Sequence, residues 1–210
     1  MTRTEIRTKI RYNIREATAG VWSDTELNYW INDVQREVSH LLHPTYNPKL
    51  IEMSSISVAS NDNTVSLPTG FIQMLGNADL ASNTYVYTPI HLVRPKIIGD
   101  FAYDTNKKIC WLQSDLLYLH PTPTTSEDGK LIRFPYLKVA TDFASNDTTG
   151  SLGDVAYALV VDKVSAVAWS KLDSQEAQTE AKKFFDLYYN DLEKLNKKFD
   201  KKNDTGTIKT

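Results

Sequence analysis

Few residues of this 210-residue chain stand at the spacings that chemistry requires. His40 and His43 lie three apart near the end of a helical pattern, where two imidazoles can turn toward one metal ion. No cysteine or obvious carboxylate completes a ligand set, and basic rings near a helix C-terminus also suit the last carbonyls. His91 and His120 stand alone. Cys110 sits between Ile109 and Trp111 in a strand-like run, which fits a buried structural thiol better than a nucleophile. As the single cysteine it excludes an internal disulfide framework and a cysteine-built zinc site. Ser66, Ser114 and Ser151 lack the glycines of a nucleophile elbow. No phosphate loop or dinucleotide fingerprint occurs, and no carboxylate spacing selects a glycosidase pair. The residues therefore point to a non-enzyme that needs no cofactor and no metal.

Charge is patterned more clearly than chemistry. Arg3, Arg7, Arg11 and Arg15 repeat every four residues and form a basic ridge one residue out of phase with Ile6, Ile10 and Ile14. Such a ridge is either a solvated face or a surface that docks on acidic groups of a neighbouring subunit or partner. The whole chain is nearly neutral, with a net charge of -2 and a pI of about 6.1, unlike a protein built to grip nucleic acid. At 41% hydrophobic and 24% charged residues it has the make-up of a globular protein with material for a sizeable core. Met1 leads straight into polar sequence without a secretory signal, so a cytoplasmic origin is expected.

The elements that must position these residues are organised around Asp154 to Leu172. That run is apolar nearly all round, with Asp162, Lys163, Ser170 and Asp173 on one narrow strip. Its valines favour a strand, but its length favours a buried central helix. Asp162 and Lys163 near its middle argue against a membrane span. At the N-terminus Thr2/Glu5 and Ser23/Glu26 are capping boxes that open two helices. Leu27, Trp30, Ile31, Val34, Val38, Leu41 and Leu42 form the stripe of the second, which ends at His43-Pro44. A last helix from about Gln175 to Phe199 carries its seam on Ala177, Ala181, Phe184, Tyr188, Leu192, Leu195 and Phe199. Trp22, Trp30, Val160, Val164, Phe184 and Tyr188 are expected to share one core.

Between the helices the period changes to alternation. Strands are expected over Leu50 to Val58, Thr64 to Leu67, Thr84 to Ile90, Lys108 to Leu112, Asp115 to His120 and Lys130 to Leu137. The clearest expected pairing joins 115–120 to 130–137, and Pro135 marks its strand as an edge or one whose missing N–H faces water. The fold class read from these patterns is α+β. Two N-terminal and two C-terminal helices make an antiparallel helical bundle, with a small antiparallel β region inserted. The divisions are 1–45 for the N-terminal hairpin, 46–145 for the β-rich region, 146–199 for the C-terminal pair and 200–210 for a flexible polar tail.

Taken in order, several landmarks resemble a known family. They are WSDTELNYWINDVQREV (Trp22 to Val38), LPTGFIQML (Leu67 to Leu75), Pro89-Ile90, YLHPTP (Tyr118 to Pro123), a strand ending in Tyr136, and the two closing helices. Their order is similar to that of the head–tail adaptor (connector) proteins of tailed bacteriophages, over nearly the whole chain. The resemblance implies a non-enzymatic virion protein, assembled in the host cytoplasm as a homo-oligomeric ring, a dodecamer, beneath the portal protein. DNA would pass through that ring without specific binding, tail or nozzle proteins would dock on it, and no membrane would be involved. A C-terminal extension grips the portal in such proteins, which here would use Lys201, Lys202, Ile208 and Lys209. The basic ridge Arg3, Arg7, Arg11 and Arg15 would then face a subunit or partner. Another virion structural role, as a stopper or tail-tube component, and a wall hydrolase are the alternatives.

Overall fold

Ile6, Ile10 and Ile14 are all buried along one side of α1 (Arg3–Asn13), as their four-residue spacing requires. A computed structural model of the chain describes residues 1–16, 20–80, 86–89 and 108–204. Both predicted capping boxes are formed: Thr2 with Glu5 opens α1, and Ser23 with Glu26 opens α2 (Asp24–Leu41). α2 buries Leu27, Ile31, Val34 and Val38 on the face opposite its charges. The valine-rich run is a helix, α3 (Asp154–Ser170), against which α1, α2 and α4 (Gln175–Asp204) all pack. Burial on three sides is what favours helix over the strand preference of its valines. Val160, Val164, Tyr188 and Phe184 are buried as expected, while Trp22 and Trp30 are half-buried and meet edge to face at 5.2 Å. α4 continues past Phe199 to Asp204. Pairs such as Glu193–Lys197, one turn apart at 2.5 Å, support the polar end of that helix.

The chain divides into two compact units, Met1–Leu50 with Val139–Thr210, and Ile51–Lys138. The second unit overturns the expectation of a helical bundle carrying a small β insertion. Among the described residues it holds ten strands: β1 (Ile51–Met53), β2 (Ile56–Ser57), β3 (Thr64–Ser66), β4 (Phe71–Met74), β5 (Ala78–Leu80), β6 (Val86–Pro89), β7 (Ile109–Gln113), β8 (Leu116–His120), β9 (Leu131–Arg133) and β10 (Pro135–Lys138). They form a three-stranded sheet, β1-β10-β4, and a seven-stranded one, β2-β9-β5-β6-β7-β8-β3. All neighbours are antiparallel except β6 and β7, which run parallel. Among the described residues the fold is α+β, four helices and a β unit of ten short strands in two sheets.

The extra strands have a local cause. The runs 50–58 and 130–137 each break in the middle and serve both sheets. At the break, Ser54 N–H donates to the Phe134 carbonyl and Phe134 N–H donates to Ser54 Oγ, both at 2.9 Å. The predicted pairing of 115–120 with 130–137 does not form. β8 instead turns back on β7 through Ser114-Asp115, with Ser114 at a φ of 54°, and pairs with β3 on its other side. A two-residue connection closes at less entropic cost than the nine-residue loop that sequence favoured. β10 is also no edge strand, since it lies between β1 and β4. Pro135 is tolerated there because it is the first residue of its strand, and its carbonyl accepts from Leu75 N–H at 2.8 Å. The core of this unit is built from Tyr87, Cys110, Leu117, Leu119, Ile132 and Phe134.

Candidate docking surfaces

Arg3, Arg7 and Arg11 lie on α1 and Arg15 just beyond its end at a φ of 60°, and each is engaged within its own chain. Arg3 donates from Nε to Asn146 Oδ1 at 3.1 Å and from a terminal nitrogen to the Phe143 carbonyl at 3.4 Å. Arg7 reaches Asn28 Oδ1 at 3.1 Å and the Asp24 carboxylate at 3.3 Å. Arg11 is only 7% exposed and donates to Asp24 at 2.5 Å, Glu16 at 3.1 Å and the Trp22 carbonyl at 3.1 Å. That guanidinium, with the nearby charge of Arg7, holds the Asp24 carboxyl below the usual carboxylate range. Arg15, the exposed member, pairs with Glu176 at 2.6 Å and Glu180 at 3.2 Å and lies over the Trp169 ring. The ridge thus ties α1 to the start of α2, the 143–146 loop and α4. Sequence spacing revealed the cations but not Asp24, Glu176 or Glu180, which lie 13 to 165 residues away along the chain.

The C-terminal candidates are placed only in part. Lys201 and Lys202 fall on the backbone of the last turn of α4, while Ile208 and Lys209 lie outside the described residues. Of the candidates for chemistry, His43 Nδ1 accepts from Thr45 N–H and His40 is an exposed residue of the last turn of α2. Cys110 is fully buried, and that burial pushes its thiol up to about 12, the behaviour of a packing residue. Ser66 ends β3 exposed, Ser114 is a turn residue, and His91 lies outside the described residues. No group of three or more His, Cys, Asp or Glu side chains that could hold a metal ion occurs among the described residues.

Open clefts mark the helical unit among the described residues, and two of them flank α4. One of about 700 Å³ lies between α1 and α4, lined by Tyr12, Arg15, Glu16, Glu180, Lys183 and Phe184 among others. The other, about 480 Å³, runs between α3 and α4 and has an apolar floor with a lysine rim. No sequence pattern announced the second cleft, because α3 looked apolar on every side and gave no hint that Val155 would be left 49% exposed. Near its rim Asp162 is half-buried, and burial, with the Asp191 carboxylate nearby, pushes its carboxyl up to about 6. Among the described residues no helix is long and apolar enough to cross a membrane. No curated protein matches the chain. The family model described as SU10 adaptor protein matches residues 1–208, the span that carries both helical ends and the β unit between them, and the chain therefore belongs to the SU10 adaptor proteins, a head–tail adaptor family of bacteriophages.

Proposed function

We propose that this phage adaptor is a non-enzymatic structural subunit that joins further copies in a ring beneath the portal. The ring extends the DNA channel and offers tail or nozzle proteins a docking surface at the head–tail junction of the virion. The single observation that carries this reading is family membership across residues 1–208. Charge supports it, because a chain of net charge -2 lets DNA pass without gripping it. In this scheme assembly occurs in the host cytoplasm, the C-terminal segment with Lys201, Lys202, Ile208 and Lys209 reaches the portal, and Arg15 is the member of the arginine ridge most open to a neighbour.

The test is electron microscopy of the purified protein mixed with its portal, run beside a chain lacking residues 200–210. The expected result is a ring on the portal for the full chain. The truncated chain should keep its thermal transition and attach poorly. Portals that remain bare with the full chain would remove the ring reading. Normal occupancy by the truncated chain would remove the C-terminal segment from the portal contact.

A further inference from the structure

We infer that the cleft between α3 and α4 receives the exposed strip of α2 from a neighbouring copy of this chain. Its floor is Val155, Ala158 and Leu159 of α3 with Leu195 of α4, and its rim carries Lys194, Lys197 and Lys198 against one carboxylate, Asp191. Lys194 and Lys197 are 72% and 65% exposed and form surface pairs, to Asp191 at 2.8 Å and Glu193 at 2.5 Å. Pairs of that kind are weak and readily exchanged. An apolar floor with a cationic rim calls for an aromatic or apolar anchor flanked by carboxylates.

α2 presents that chemistry on the side away from its own core. Tyr29 is 65% exposed. Glu26, three residues before it, and Asp33, four after it, share its face. Asp33 is 64% exposed, and its cationic neighbour is Arg36 of the same helix at 3.6 Å. Glu26 is exposed and uses one oxygen, Oε2, in the capping box with Ser23. These steps set the carboxylates about 4.5 and 6 Å along the axis on either side of the ring. The two carboxylates are thus about 10.5 Å apart, against about 6 Å between Lys194 and Lys198 along α4, a difference that long, flexible lysine side chains can span. Tyrosine is also among the residue types that most often anchor interfaces.

The strip and the cleft belong to different helices, so each copy gives one surface and receives the other. Such a head-to-tail contact closes into a ring where the rotation between copies allows it. The pairing rests on the ring reading above and adds which faces meet.

The experiment uses the full chain carrying Tyr29→Cys and Ala158→Cys, separately and together, since native Cys110 is buried. Each protein is mixed with its portal and treated with a short bismaleimide. The double variant should give a covalent ladder of this chain alone, and the single variants should give none. In parallel, Lys194→Glu with Lys198→Glu should lower ring formation at least tenfold without moving the thermal transition, and adding Asp33→Lys should recover part of it. Rings on the portal without the 29–158 cross-link, or rings unaffected by the lysine reversals, would overturn the pairing and leave the ring reading standing. Cross-linking of the Ala158→Cys variant to the portal protein would overturn it in favour of that occupant. Bare portals with the unmodified chain would remove both.

Discussion

Asp162 is the residue whose environment most opposes its charge. Its carboxyl is pushed up to about 6 from an ordinary value near 3.8, first by burial and then by the Asp191 carboxylate. A folded-state value above the unfolded one means the native protein binds the proton more tightly. Stability from this group is therefore full below about pH 4 and is lost as pH rises toward 6. Asp162→Asn should raise stability at pH 7.5 by about 1 kcal/mol, the shift being discounted for the solvent that reaches a half-exposed group. It should also flatten the stability profile between pH 4 and 6, which denaturant titrations at several pH values would show; an unchanged slope would remove Asp162 as its source. Glu127 behaves in the opposite way. Burial works against its charge, but Lys108 at 2.6 Å and the N–H and hydroxyl of Thr124 outweigh it and hold the carboxyl low. Glu127→Gln should destabilise the β unit by about 1 kcal/mol, because the neutral amide loses the charge-assisted bonds that the buried carboxylate accepts from Lys108 and Thr124. A melting temperature unaltered by that change would show the pair to be of no energetic weight.

α3 is the element on which the helical unit depends. Val164 is fully buried at its centre, so Val164→Asp would place an unpaired charge in the core at a cost of several kcal/mol. Loss of helical circular dichroism is the expected result, and a retained melting temperature would contradict the packing. Entry to α3 depends on a close approach. A Cβ at Gly150 would stand 1.5 Å from Tyr157 Oη and 2.7 Å from the Phe143 ring. Gly150→Ala must displace Tyr157, whose hydroxyl accepts from Leu152 N–H, and should cost about 2 kcal/mol or more in chemical denaturation. The helices were legible because capping boxes and apolar stripes are local: Thr2, Ser23 and Ile6/Ile10/Ile14 state their roles within a few residues. The β unit was less so. Strand order depends on contacts such as Ser54 with Phe134, distant in sequence and invisible to periodicity. FIQM and ADL were too short to stand out as β4 and β5. The cleft between α3 and α4 was hidden for a similar reason, since burial of α3 on three sides does not say which side remains open.

At the scale of the molecule, the helical unit is discontinuous in sequence. Its two segments meet next to the insertion, where Lys49 and Thr141 line one small cavity. Replacing Ile51–Lys138 with a short Gly/Ser linker should therefore leave a cooperative helical domain, checked by circular dichroism and a single thermal transition. Collapse of helical signal in that deletion would mean that the helices depend on the β unit. The same discontinuity orders events during synthesis. α1 and α2 emerge first with Ile6, Ile10, Leu27 and Ile31 uncovered, and the helix that covers them is still to be made. At the usual pace of a ribosome the wait for those ~110 residues lasts on the order of ten seconds. Only near the end of that interval, once β9 and β10 have emerged to pair with β2 and β1, can the β unit close on itself, while the N-terminal helices remain sticky nascent chain. Only after α3 and α4 leave the exit tunnel does α2 gain the backing against its buried stripe, so on the proposed pairing a half-made chain would offer another copy no finished face to join.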